Sequence, residues 1–248
     1  MRDALGYRAK IGVLTPATNT IVEPEFAAMQ VPGVTNHVSR MPPRKRDTEN
    51  MDAYRSVIGD PGDLTGCLDV MVACEPDIIA LGHSIDSFAG GVAGAAAFQS
   101  RLSGLAGGIE VVVPSLAILS ALDVLGQPRN IAALTPYMPP GDETVEAFFA
   151  DAGYQVKSVI GLKHKTPLDI AAATPARLNA AIDELNSPDI EVFVKAGTNS
   201  SMAHLVSDME ARTGKPVISV NVATYWHTLR RLGFDDHFPG FGLLAEHY

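Results

Sequence analysis

Residues 11–20 read IGVLTPATNT, and residues 131–137 read IAALTPY. The chain twice runs a short apolar strand into Leu-Thr-Pro, first at Leu14 and again 120 positions later at Leu134. A second pair follows in the same order. CEPDIIALGHSIDS at 74–87 and NSPDIEVFVKAGTNSS at 186–201 each join a helix end, Pro-Asp, an apolar strand and a loop rich in Gly, Ser, Thr and Asn. From Pro76 to Pro188 the offset is 112, so order and approximate spacing are both kept. Self-similarity of this kind marks a duplicated unit. It predicts two α/β halves, each of about 110 residues: 1–115 together with 222–248, and 116–221.

The rest of the chain fits that plan. β-branched runs at KIGVLTP, PDIIALGHS, EVVVPS, NIAALTP, YQVKSVIGL, DIEVFVKAG and KPVISVN alternate with helical patterns. The helices are expected at 23–30, 51–74, 90–105, 116–125, 141–151, 174–185, 200–213 and 222–232. Alternation of strand and helix implies parallel sheets flanked by helices. Thr174 is a natural N-cap with Pro175 at the first helical position, and Gly233 ends the last helix. That helix is expected to pack back on the first half. The fold class is therefore α/β, with two pseudo-symmetric, Rossmann-like (flavodoxin-like) parallel-sheet halves and the site in the cleft between them. No Pro/Gly/Ser-rich linker separates the halves, so they should share an interface.

Composition narrows the function classes. The 248 residues carry a net charge of −9, which argues against nucleic acid and anionic membrane surfaces as partners. The one basic run, RKR at 44–46, reads as a solvated loop, with a gate over an anionic substrate as the alternative. No apolar run is long enough to span a bilayer, and the first ten residues lack the apolar core of a secretion signal. Cys67 and Cys74 offer neither a disulfide framework nor a metal-ligand set; with Val70 and Met71 they fall on one helical stripe and read as small buried hydrophobes. These features lead us to expect a cytoplasmic protein without a metal site.

In open parallel sheets ligands bind beyond the carboxyl ends of the strands, and all four repeated polar loops lie at such ends. They supply Thr15, Pro16, Thr18 and Asn19; Gly82, His83, Ser84 and Asp86; Thr135, Pro136 and Tyr137; and Gly197, Thr198, Asn199 and Ser200. The set is rich in hydroxyls, amides and backbone N–H groups and poor in Lys and Arg, which suits a carboxylate held by hydrogen bonds at helix N-termini. The plainer reading is that these Ser, Thr and Asn residues cap the following helices. No phosphate loop, HExxH, CxxC or strand-linked GxGxxG is present. GGVAG at 90–94 reads as close helix packing, and GHSID at 82–86 only partly matches a nucleophile elbow.

The stretch VLTPATNTIVEPEF resembles the opening of the maleate cis–trans isomerases, which stand with arylmalonate decarboxylase in the Asp/Glu racemase superfamily. LTPY at 134–137, ALGHSIDSFAGG, VKAGTNSS and PVISVNVATYWHTLRRLG extend the resemblance along almost the whole chain. It implies no cofactor, a small carboxylate substrate, and a homo-oligomer. It also implies that Asn19 and Tyr137 hold a substrate carboxylate. The family pattern places a cysteine after the Pro-Asp strand of each half, where this chain has Gly82 and Gly197. Isomerases use one such cysteine as nucleophile, racemases use both as acid and base, and the decarboxylase keeps the second as proton donor. A thiolate mechanism does not transfer to glycine, and Cys67 and Cys74 precede the strand.

Replacement chemistry is expected from the neighbours. His83, oriented or charged by Asp86, is the acid/base candidate, with Ser84 beside it. Thr198 and Asn199 would donate to a developing enolate oxygen. Lys195 is a base or Schiff-base candidate if desolvated, and a solvated strand-end lysine otherwise. The leading expectation is a cofactor-independent isomerase-type enzyme acting on a small carboxylate or dicarboxylate through an enediolate-like state. The alternatives are a decarboxylase, other C–C lyase or hydrolase on the same scaffold, and a non-catalytic carboxylate-binding protein.

Overall fold

The structure, a computed structural model, describes residues 3–42 and 61–248. The RKR run and the first part of the helix expected at 51–74 lie outside the described residues. Strand β1 (Ala9–Pro16) leads through α1 (Val22–Ala28) to β2 (Val34–Met41). Helix α2 (Pro61–Val72), β3 (Ile78–Leu81), a 3-10 turn at Ile85–Phe88, α3 (Gly91–Leu105), β4 (Val111–Val112) and α4 (Pro114–Val124) follow. The same sequence of elements then repeats. Strand β5 (Asn130–Thr135) leads through α5 (Pro139–Asp151) to β6 (Gln155–Gly161), α6 (Pro167–Ala171), α7 (Pro175–Leu185) and β7 (Val192–Lys195). A 3-10 turn (Ala203–Leu205), α8 (Val206–Thr213), β8 (Val217–Ser219), α9 (Val220–Arg231) and a short α10 (Leu243–His247) complete the chain.

These strands form two four-stranded sheets of matching order, β2-β1-β3-β4 and β6-β5-β7-β8, with every pairing parallel. The Leu-Thr-Pro repeat occupies the same place in both. Leu14 pairs with Leu81 on β3, and Leu134 pairs with Lys195 on β7. The inner strands β3 and β7 are buried along their whole lengths, as sheets covered on both faces require. That is why IIAL and VFVK read as continuous hydrophobic runs apart from Lys195.

Strand β2 was not expected. Its sequence VTNHVSRM carries four half-buried positions from Thr35 to Val38, because it is a sheet edge and needs no unbroken apolar face. Helices α4, α5, α6 and α7 begin on proline, at Pro114, Pro139, Pro167 and Pro175, where the missing N–H costs nothing. Thr174 caps α7 as expected, accepting from the Arg177 N–H at 3.2 Å. Gly233 closes α9 at φ +76°, with Phe234 N–H returning to Leu229 O at 3.0 Å. The helix expected over 200–213 is shorter: residues 200–202 remain loop, and that difference shapes the site.

One apolar cluster runs through both halves, joining Ile11, Val13 and Phe26 to Phe148, Val194, Tyr225 and Trp226. Helix α9 packs on α4, α1, β3 and β4. The stripe expected on α2 needs correction. Leu64, Cys67, Leu68 and Met71 face inward, Val70 faces solvent, and Cys74 lies beyond the helix end, half-buried. The GGVAG segment is closely packed, since a Cβ on Gly94 would strike Ala89 O and one on Gly91 would strike Asp151 of α5.

Candidate active site

In each sheet the connections from the two inner strands leave in opposite directions, β1 toward β2 and β3 toward β4, and likewise β5 and β7. A crevice therefore opens where their carboxyl ends meet. The loops after β3, β5 and β7 meet in one cleft. His83, Ser84 and Ile85 come from the first half; Pro136, Tyr137, Ile170, Gly197, Thr198 and Asn199 come from the second. The cleft is narrow, with a cavity volume of about 10 Å³, room for about one water molecule.

Its polar groups form pairs. His83 Nε2 lies 2.6 Å from Asp86 Oδ2, with the imidazole 2% exposed and the carboxylate 26%. One turn of 3-10 helix brings Asp86 back to His83. Ser84 Oγ and Tyr137 Oη are 2.9 Å apart, joining the two halves through hydroxyls. Thr198 Oγ1 donates to Gly82 O at 3.0 Å, a second link across the halves.

The loop after β7 is the most distinctive part. Among the described residues, the backbone N–H groups of Gly197, Thr198, Asn199, Ser200 and Ser201 donate to no protein acceptor, although residues 197–200 are buried. Among the described residues, the N–H group of Ser84 is likewise without a protein acceptor. Buried backbone donors are rarely left unpaired. Consecutive ones facing a cleft form a concave anion site. Ser200 Oγ and Thr18 Oγ1 are also buried without a partner among the described residues.

No Lys or Arg side chain lines the cleft among the described residues. Lys195 does not line it either. Its side chain is 1% exposed and its ammonium lies under the loop, donating to Gly197 O and to Ser200 O at 2.9 Å. Burial lowers its pKa to about 8, opposed by the charge of Glu25. The solvated strand-end lysine of the simpler expectation is thus replaced by a buried one.

The remaining expected residues brace the site. Asn19 is fully buried and its amide is committed: Nδ2 donates to Thr198 Oγ1 at 3.1 Å and weakly to Gly82 O, while Oδ1 accepts from Ile21 and Val22 N–H, each at 3.0 Å. It braces the turn leading into α1 and fastens the halves together, and it lies behind the cleft wall. Thr15 Oγ1 donates to Gly82 O at 3.2 Å, and Pro16 ends β1 behind it. Thr135 donates to Asp142 and accepts from Tyr137 N–H at 3.1 Å, aiming the tyrosine. Asn199 accepts from Thr20 N–H at 3.0 Å and donates to Pro167 O at 2.7 Å, so its side chain is a strut.

Three contributors escaped the sequence. Glu25, in the first turn of α1, is 2% exposed and accepts from Met202 N–H at 2.9 Å, Ala203 N–H at 3.0 Å, Ser201 Oγ and, at 2.6 Å, Asn221 Nδ2 of α9. A glutamate in a first helical turn normally reads as a surface residue, so nothing local marks it. Asn221 is equally unmarked. Ile170 had a signal, since TPLD at 166–169 is a capping box that starts the short helix carrying it to the cleft.

The glycines at the two positions of interest differ. A Cβ on Gly82 would come within 2.9 Å of Thr15 Oγ1 and Val22 Cγ1. Gly197 has φ +91°, and its Cβ would come within 2.5 Å of Pro136 Cδ.

With this geometry in place, likeness to known proteins can be stated. The family model described as arylmalonate decarboxylase matches residues 11–245. A maleate isomerase of Pseudomonas putida is 25% identical over 249 residues, covering 96% of this chain and 97% of that protein. Two solved structures superimpose closely. A Nocardia farcinica maleate cis–trans isomerase mutant with a covalently bound succinylcysteine intermediate gives a TM-score of 0.86 at 21% identity, covering 97% of this chain and 99% of that one. A liganded double mutant of arylmalonate decarboxylase gives 0.82 at 22% identity, covering 97% and 100%.

Proposed function

Because the chain belongs to the arylmalonate decarboxylase family, we propose that it is a cofactor-independent, isomerase-type enzyme acting on a small carboxylate or dicarboxylate without a catalytic cysteine. The observation that carries this reading is the run of unpartnered N–H groups from Gly197 to Asn199, set in one cleft with His83, whose ring pairs with Asp86.

Such a cleft suits carbon-acid chemistry. The substrate carboxylate would accept hydrogen bonds from the N–H groups of the β7 loop and from the Ser84–Tyr137 hydroxyl pair. His83 takes the proton from the carbon beside that carboxylate, and the electron pair moves into the carboxylate as an enediolate. Donors fixed before the reaction stabilise that charge without reorganising. Asp86 fixes the ring and stabilises the imidazolium that forms. Isomerisation follows when the proton returns to the other face or to a conjugated carbon. Neither Cys67 nor Cys74 is among the lining residues, and Gly197 offers no room for a side chain.

A decarboxylase is the second reading, favoured by Ile85, Pro136 and Ile170 on the cleft wall. An apolar wall desolvates a second carboxylate, whose C–C bond then breaks to release carbon dioxide and leave the same enediolate, protonated by His83.

Proton NMR in deuterated water, with maleate and a panel of substituted malonates and enoates, separates these outcomes. Isomerisation or solvent exchange supports the first reading, and carbon dioxide release supports the second. Tight binding with neither turnover nor exchange would leave a carboxylate-binding protein. His83→Ala is expected to reduce turnover about 100-fold or more with binding retained. Thiol alkylation is expected to leave activity intact.

A further inference from the structure

Lys195 has no part in the proton transfers above, yet its ammonium is buried directly beneath the loop after β7. We propose that Lys195 is a positioning residue, whose ammonium holds the Gly197 and Ser200 carbonyls inward and so turns the Thr198 N–H toward the cleft. This rests on the reading of the cleft as a carboxylate site.

The geometry follows from the peptide unit. In a planar trans peptide the C=O and the next N–H point in opposite directions. Gly197 O is bonded to Lys195 Nζ below the loop, so the N–H of Thr198 points away from the ammonium. Thr198 itself lines the cleft, and its N–H meets no protein acceptor. The same bond from Nζ to Ser200 O turns the Ser201 N–H outward. Two carbonyls gathered on one cation thus present unpaired donors on the opposite side.

Two neighbours make the arrangement specific. Gly197 takes φ +91° against Pro136, a conformation that an ordinary residue does not hold, and the bond to Lys195 anchors its carbonyl. Glu25 receives the end of the same loop through Ser201 Oγ and the Met202 and Ala203 N–H groups. The loop is therefore held by a cation at its start and an anion at its end. Ser219, paired with Lys195 across β8, carries a buried hydroxyl without a partner on the same face.

Lys195→Met keeps the stem and removes the donors. Its crystal structure is expected to show the Gly197–Thr198 peptide rotated from its wild-type orientation. In titrations with sodium malonate and sodium maleate, affinity is expected to fall about tenfold or more, with the Thr198 amide no longer shifting on binding. Cooperative unfolding and the far-UV spectrum are expected to be retained. A folded Lys195→Met with the peptide unmoved and affinity within twofold of wild type overturns the proposal. If Lys195→Met does not fold, Lys195→Gln replaces it, and an unmoved peptide and unchanged affinity there overturn it equally. If wild-type protein binds neither acid, the carboxylate reading fails, and the peptide orientation in the variant still decides the role of Lys195.

Discussion

At position 197 a backbone in the left-handed region meets Pro136 at close range, so any side chain is penalised twice. Gly197→Ala is expected to cost about 2 kcal/mol of stability, measured by urea unfolding. Gly197→Cys is expected to cost at least as much without creating cysteine-dependent turnover, because the new thiol displaces the loop that it should serve. Lys195 gives a pH signature. Its folded pKa is about 8 against 10.5 for an ordinary lysine, so between those values the unfolded chain binds more protons and stability rises with pH. Below about 8 the full cost of the buried ammonium is present. The unfolding free energy of wild type relative to Lys195→Met is therefore expected to improve by about 1–3 kcal/mol from pH ~7.5 to ~10. Glu25 is the ionisable group acting on Lys195; Leu134, Ser219 and Asn221, on β5, β8 and α9, do not titrate. At this scale the sequence was legible in part. His83, Ser84, Tyr137 and Thr198 could be named because strand-end loops must face a crevice. Asn19 was harder, since an amide able to bind a carboxylate can equally cap a helix, and its partner Thr198 lies 179 positions away.

Elements were easier to read, for reasons visible in their burial. Strands β1, β3, β5 and β7 are enclosed on both faces and appear as apolar runs, whereas edge strand β2 mixes Asn36, His37 and Arg40 with its valines. The start of α7 was signalled by Thr174 and Pro175. Thr174→Ala is expected to cost about 1 kcal/mol through loss of the cap bond to Arg177 N–H, with no effect on ligand binding, because Thr174 is not among the residues lining the cleft; paired urea melts and malonate titrations check both halves of that statement. Residues 200–202 defeated the helical pattern because Glu25, from α1, takes the N–H groups of Met202 and Ala203. Tertiary hydrogen bonding outweighed local propensity there.

Over the whole molecule, the duplicated plan was the most legible feature, since two sheets of matching order follow directly from two matched series of motifs. What the duplication hides is its asymmetry. The β7 loop has a lysine beneath it and a glutamate beside it, whereas the corresponding β3 loop bears the His83–Asp86 pair. In the proposed mechanism one half shapes an anion site and the other supplies the proton carrier. Glu25→Ala removes the acceptor for groups in two separate segments, the 201–203 loop and Asn221 of α9. It is expected to destabilise the fold by about 3 kcal/mol, read by urea unfolding, because buried donors are left unpaired together with the Lys195 charge.

The ties across the cleft also bear on kinetics. Asn19 bonds to Thr198, Ser84 to Tyr137, and Glu25 to Asn221 and the 201–203 loop. Two sheets stitched at so many points cannot part like jaws without breaking several buried hydrogen bonds at once. Entry of a substrate and departure of a product must then be small local rearrangements at the rim, and the catalytic floor stays assembled between turnovers.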